Sequence, residues 1–207
     1  MGPRTMASTR TILGALFAGS LFATAACGDD PAPLVGSWRA HANALDAGAL
    51  PEADRQVLTF RADGSVVANG SAPGTYTVDG DRLTLVTPRQ DAPADAWTTT
   101  YYASDTHLVL DVMTSADAGD GVIGTWQGAR VVNGAPIDTT VTLRADHSGR
   151  YESHDRASGG GIAIEATWQQ QGDDLAVTAT ISPDQLLSFY ATRVDGVLGS
   201  PYERLAP

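Results

Sequence analysis

Five side chains able to ligate a metal or move protons crowd into one short stretch: Asp146, His147, Glu152, His154 and Asp155. Imidazoles and carboxylates are the groups through which proteins hold zinc and copper. On an extended strand Glu152 and His154, two apart, share one face. The stretch also has the composition of a solvated hairpin. We adopt that reading and assign no metal. His41 and His107 stand alone and are read as surface or rim residues. Asp79 with Asp81, Asp117 with Asp120 and Asp173 with Asp174 offer oxygens of the kind calcium takes. They coincide with glycine-containing turns, where aspartate is favoured for backbone reasons. Ser158 lies in a glycine-rich loop, residues 157–161, with no base or oxyanion donor to activate it.

Composition removes whole classes of chemistry. All 13 basic residues are arginine. Without lysine there is no Walker A lysine, Schiff base or Ser-x-x-Lys dyad. The single cysteine, Cys27, excludes thiol catalysis in the folded body, iron–sulfur ligation and cysteine zinc sites. Gly119-Asp120-Gly121-Val122-Ile123-Gly124 fits Gly-x-Gly-x-x-Gly, but it runs into a strand pattern, whereas a dinucleotide site opens a helix. The expectation is a non-enzymatic protein without a cofactor. A hydrolase would need a polar cluster in a cleft with perturbed groups. The net charge of −11 argues against nucleic acid and anionic headgroups as partners.

Cys27 also fixes an address. Arg4 and Arg10 precede an apolar run, residues 11–26, and no acid occurs before Asp29. That is the pattern of a signal peptide; a membrane span needs about 20 apolar residues. Thr24-Ala25-Ala26-Cys27 resembles a bacterial lipobox, with Thr24 where leucine is usual. The rival is an Ala-x-Ala site, Ala23-Thr24-Ala25, which leaves a free thiol. A lone cysteine has no disulfide partner in the chain, and an exposed thiol is a liability in an oxidising compartment. The reading is therefore a signal peptide over 1–26, then a lipidated Cys27 and tether over 27–33. The protein is exported and held at the membrane by lipid. Gly28 is not the aspartate linked to inner-membrane retention, so in a Gram-negative host the location is the outer membrane, facing the periplasm. Cleavage removes two arginines and moves the charge from −11 to −13.

The rest of the chain is written twice. Leu34-Val35-Gly36-Ser37-Trp38 matches Val122-Ile123-Gly124-Thr125-Trp126, and Tyr102-Ala103 matches Tyr190-Ala191, both at a spacing of 88 residues. Between them, residues 58–63 match 141–146, and 74–85 match 166–177. That spacing suits a duplicated domain better than a solenoid, whose units run to roughly 20–50 residues. Each half alternates with period two between turn signals such as Asp63-Gly64 and Asp79-Gly80, the signature of antiparallel hairpins. Strands are expected at 57–60, 66–68, 75–78, 82–86, 97–103 and 107–113. They recur at 139–145, 149–154, 162–170, 175–181 and 186–193. Residues 42–54 and 183–187 have the composition of short helices, although Gly48 and Pro51 interrupt the first.

Gly36-Ser37-Trp38, Asp63-Gly64, Gly74-Thr75-Tyr76 and Gly80-Asp81-Arg82-Leu83-Thr84-Leu85 resemble the motifs of the bacterial lipocalin-like lipoprotein domains. The second half keeps Gly124-Thr125-Trp126 and Gly172-Asp173-Asp174-Leu175-Ala176-Val177, and departs at His147 and Ala166. The resemblance implies an all-β fold of two tandem small lipocalin-like barrels, 34–113 and 122–207, joined by a linker over 114–121. One lipocalin-sized barrel spanning both halves is the competing architecture; the duplicated Gly-x-Trp favours the pair. It also implies a structural role for Trp38 and Trp126, and with them Gly36 and Gly124.

The aromatic residues are numerous enough to line a cavity, and Tyr76, Tyr102, Trp168 and Tyr190 are the candidates; the alternative is that they fill the core. Two functions follow. The first is a binding or accessory protein of the envelope with a small apolar ligand. The second is a protein–protein interaction module with filled cores. Cys27→Ser is expected to release the protein from the membrane fraction; retention there would refute the anchor.

Overall fold

The computed structural model describes residues 33–89, 92–119, 121–132, 134–182 and 185–206; the signal segment, Cys27 and nearly all of the tether lie outside them. The chain is all-β. Its strands are β1 (Gly36–Ala40), β2 (Val57–Phe60), β3 (Ser65–Ala68), β4 (Gly74–Asp79), β5 (Arg82–Arg89), β6 (Ala92–Ala103), β7 (His107–Ser115), β8 (Gly124–Val132), β9 (Ala135–Leu143), β10 (Ser148–Asp155), β11 (Gly161–Gln171), β12 (Asp174–Ser182), β13 (Gln185–Val194) and β14 (Val197–Arg204). The helix expected over 42–54 does not form. Pro51 and Gly48 break it, and only one 3-10 turn, Glu52–Asp54, remains. Of the second expected helix, residues 185–187 open β13, and Pro183 lies outside the described residues.

Neighbouring strands are antiparallel, and β1 pairs with both β2 and β14, so the sheet closes into a ring of fourteen strands. The ring is pinched across its middle, where β14 also pairs with β7, from Leu198 opposite Met113 to Glu203 opposite His107. Two circuits of eight strands result: β1 to β7 closed by β14, and β7 to β14 closed on each other. The strand that completes the first circuit thus comes from the end of the second repeat. On the other side of the pinch β6 and β8 pair directly, with Thr99 opposite Arg130. Circuits closed in this way leave few free strand edges.

β7 serves both circuits, and one residue lets it do so. Between the pairs Met113–Leu198 and Leu110–Ser200, β7 carries one residue more than β14. Asp111, with φ +53°, occupies the break, as in a bulge that re-aims a strand. The Asp111 N–H donates to Thr99 Oγ1 at 3.0 Å, and the Thr99 hydroxyl donates to Asp111 Oδ1 at 2.8 Å. Before the bulge Leu108 and Leu110 enter the first core; after it Met113 enters the second.

Gly-x-Trp is the same device in both halves. Trp38 and Trp126 are buried, and their indole N–H groups donate to the carbonyls of Leu34 (2.8 Å) and Val122 (2.7 Å), each four residues back. The chain must fold back sharply to bring that carbonyl to the ring. Gly36 and Gly124 do it with φ +146° and +141°, values that side chains other than glycine avoid. The Arg204 guanidinium then lies over Trp38, 4.8 Å from the ring centre, and donates to the Val35 carbonyl at 2.6 Å. In the second half Asp117 takes the Thr125 N–H instead, at 2.8 Å.

A Cβ on Gly124 would sit 2.7 Å from Asp117 Oδ1 and 3.0 Å from the Ala118 backbone, whereas one on Gly172 meets nothing within 4 Å. Gly124→Ala is therefore expected to lower stability by about 2–3 kcal/mol and Gly172→Ala by about 1 kcal/mol, measured by urea unfolding. Equal losses would contradict the Gly-x-Trp account.

Candidate functional site

The two circuits are filled differently. The first core holds the rings of Trp38, Phe60, Tyr76, Tyr101 and Tyr202. The second holds Trp126 and Trp168, together with Ala166, Ala179 and Ala191. A cavity of about 230 Å³ opens in the second circuit. Alternation explains its lining. From the buried Trp126, inward positions on β8 run to Gly128 and Arg130; on β13 they are Leu187, Phe189 and the buried Ala191. Tyr151, opposite the core residue Val141, faces inward from β10. Met113 and Gly199 form the wall shared with the first circuit. The inward register continues to Ile162 and Ile181, 47% and 45% exposed, where β11 begins and β12 ends. The Trp126 end of this circuit is plugged, and the end carrying the β10–β11 and β12–β13 connections is open and apolar.

Charge enters this lining at two places. Arg130 is half-buried and its Nε is buried with no hydrogen-bond partner. Asp111 sits at the junction of the circuits. Asp111 borders the cavity, and its charge also reaches the first core. Burial, and then the Asp111 charge, push the Tyr202 hydroxyl up to about 12. That hydroxyl donates to Gln56 Oε1 at 2.6 Å.

The residues singled out in the sequence fall in several places. Tyr190 borders the cavity and is 37% exposed. Tyr76 does not reach it: its ring packs edge-on to Phe60 and its hydroxyl donates to the Arg61 carbonyl at 2.8 Å. Trp168 is buried in the second core, with its N–H shared between the Arg144 and Ser148 carbonyls. Tyr102 packs between the circuits against Val109, Val112 and Val197 and donates to Asp195 Oδ2 at 2.9 Å. Cys27 lies outside the described residues.

The stretch from 146 to 155 is dispersed. Asp146 takes the Ser148 N–H and hydroxyl, and Asp155 takes the Ala157 N–H and Ser158 hydroxyl. These hydrogen bonds hold both carboxyls below the usual range. Glu152 pairs with Arg150, and His147 stacks on Trp168. Among the described residues no three such groups converge as a metal would require.

Sequence reasoning missed a second polar cluster. Asp174, buried, accepts the Thr192 hydroxyl (2.6 Å), the Ala44 N–H (2.7 Å) and His41 Nε2 (3.1 Å). Asn43 Nδ2 donates to the Leu175 and Ala191 carbonyls. The segment after β1 is thereby stitched to β12 and β13. One signal was present: Asp174 aligns with Arg82 in the first repeat, a reversal of charge. Arg130 had a signal too, at period two from Trp126.

Comparison with models of protein families gives no match to this chain, and comparison with curated proteins gives none either.

The Tyr202 hydroxyl stays neutral to about pH 12 in the folded chain but ionises near its ordinary value of 10 when unfolded. Its contribution is present in full below pH 10 and is lost as pH rises towards 12, by up to about 3 kcal/mol. Tyr202→Phe is expected to flatten the fall in the urea midpoint between pH 10 and 12. An unchanged fall would place the titration elsewhere.

Proposed function

We propose that this is a lipocalin-like, lipid-anchored protein of the bacterial envelope that binds a small, largely apolar molecule without transforming it. The observation that carries the reading is the cavity of about 230 Å³ in the second circuit, with Met113, Tyr151, Leu187 and Phe189 in its wall. An engineered cavity of about 150 Å³ lined by Leu, Ile and Phe binds benzene, so a space of this size can hold a small molecule. Typical ligand pockets are larger, roughly 300–1,000 Å³, so the occupant is small. The Gly-x-Trp pairs and the lipobox-like Thr24-Ala25-Ala26-Cys27 support the family and the address.

A protein partner is the second reading, favoured by the exposure of Ile162, Ile181 and Leu186 around the open end. Large apolar side chains grouped on a surface mark contact sites.

Native mass spectrometry of the chain purified from its own host separates the two. The binding reading expects a reproducible small added mass that disappears in Leu187→Trp, which fills the cavity. A bare mass, together with a protein that co-purifies with the wild type and is lost in Leu186→Asp, would replace it with the interaction module.

A further inference from the structure

We infer that the second-circuit cavity is built for an amphipathic anion: an alkyl chain against Tyr151, Leu187 and Phe189, and a carboxylate at the Arg130 guanidinium. This deepens the binding reading above and rests on it.

Arg130 is an arginine without a partner among the described residues. Among the described residues three arginines have a buried Nε without a hydrogen-bond partner: Arg39, Arg130 and Arg193. Arg39 pairs with Glu52 through another nitrogen, and Arg193 reaches the Gly119 carbonyl. Arg130 has neither an ion pair nor a hydrogen bond among the described residues. Arg150, Arg144 and Arg156, by contrast, are engaged by Glu152, Glu165 and Asp138. With 24 acids to 13 arginines in the chain, a carboxylate is the easiest partner to supply. Yet Arg130 projects from the inward face of β8, between Thr99 and Ile137 on the flanking strands, and among the described residues no carboxylate pairs with it. Buried polar groups are as a rule satisfied, and guanidinium matches a carboxylate through two parallel bonds.

Two carboxylates lie near this space, and each has a partner of its own. Asp138 is held by Arg156. Asp111 borders the cavity but accepts the Thr99 hydroxyl. The rest of the lining is mostly apolar, with Met113, Tyr151, Leu187 and Phe189 beside Thr139 and Ser200, and the inward register continues outward to Ile162 and Ile181. The lining thus carries one guanidinium whose buried Nε has no partner among the described residues and one carboxylate already engaged by Thr99, beside apolar side chains. Of the two charges the guanidinium is the one left to be met, which suits a molecule with one anionic end and a short hydrocarbon body. Asp111 makes the opposite polarity the natural competitor, a cationic head on the same chain.

Titration calorimetry of the full chain carrying Cys27→Ser, against octanoate, 1-octanol and octylammonium, tests this at neutral pH. Octanoate is expected to bind at least about tenfold more tightly than octanol, and octylammonium more weakly than either. Arg130→Gln should remove the octanoate preference while leaving octanol affinity within about twofold; Arg130→Lys should keep part of it. The wild-type ranking needs no variant, so a fold defect in Arg130→Gln, checked by its melting curve, leaves the test intact. Equal binding of octanoate and octanol, or a preference for octylammonium, overturns the anionic assignment and leaves the apolar cavity standing. No binding of any of the three overturns both.

Discussion

Everything in this structure depends on where the last strand is laid. β14 pairs with β7 along one edge, and along the other with β13 at its start and β1 at its end. Without the pairing to β7, fourteen strands would enclose one wide ring, too broad for its own side chains to fill. Eight strands make a circuit just wide enough for side chains. The pinch thus converts one ring that cannot be packed into two that can. It also makes the repeats interdependent, since the first circuit has no closing strand of its own.

The cost of such a junction is polar. Where β6, β7, β8 and β14 meet, a strand must leave one sheet and join another, and backbone groups lose their ladder partners. Thr99 and Asp111 satisfy each other there, while Asp174 and Asn43 seal the opposite seam through Thr192, His41 and two carbonyls. Buried polar groups left open would cost about 1–3 kcal/mol each. The two cores can then diverge. Five rings pack the first, while the second leaves a cavity that Arg130 borders together with Gly128, Ala191 and Gly199.

Much of the architecture was legible in the sequence. Asp-Gly turns and period-two alternation located most strands, because a hairpin is specified by its own residues. Gly36 and Gly124 announced their role through the tryptophan two positions on. β14 was not legible. Gly199, Ser200 and Pro201 interrupt it, and proline normally argues against an interior strand. Here the Pro201 carbonyl accepts the His41 N–H just past the end of β1, so its missing donor falls where that ladder stops. The Asp111 bulge was equally hidden, since nothing local marks a non-glycine residue that adopts φ +53° to satisfy a distant strand. The cavity depends on both, and so could not be placed from the aromatic residues alone. Of the four proposed to line it, only Tyr190 borders it.

The central claim is a division of labour: the first circuit is a filled scaffold and the second is the binding half. Amide hydrogen exchange of the full chain with and without saturating octanoate tests it directly. The account predicts slower exchange on β8, β10 and β13 around Arg130, Tyr151 and Phe189, with β2 to β5 unchanged. Slowing concentrated in β2 to β5, or no slowing anywhere, would contradict it.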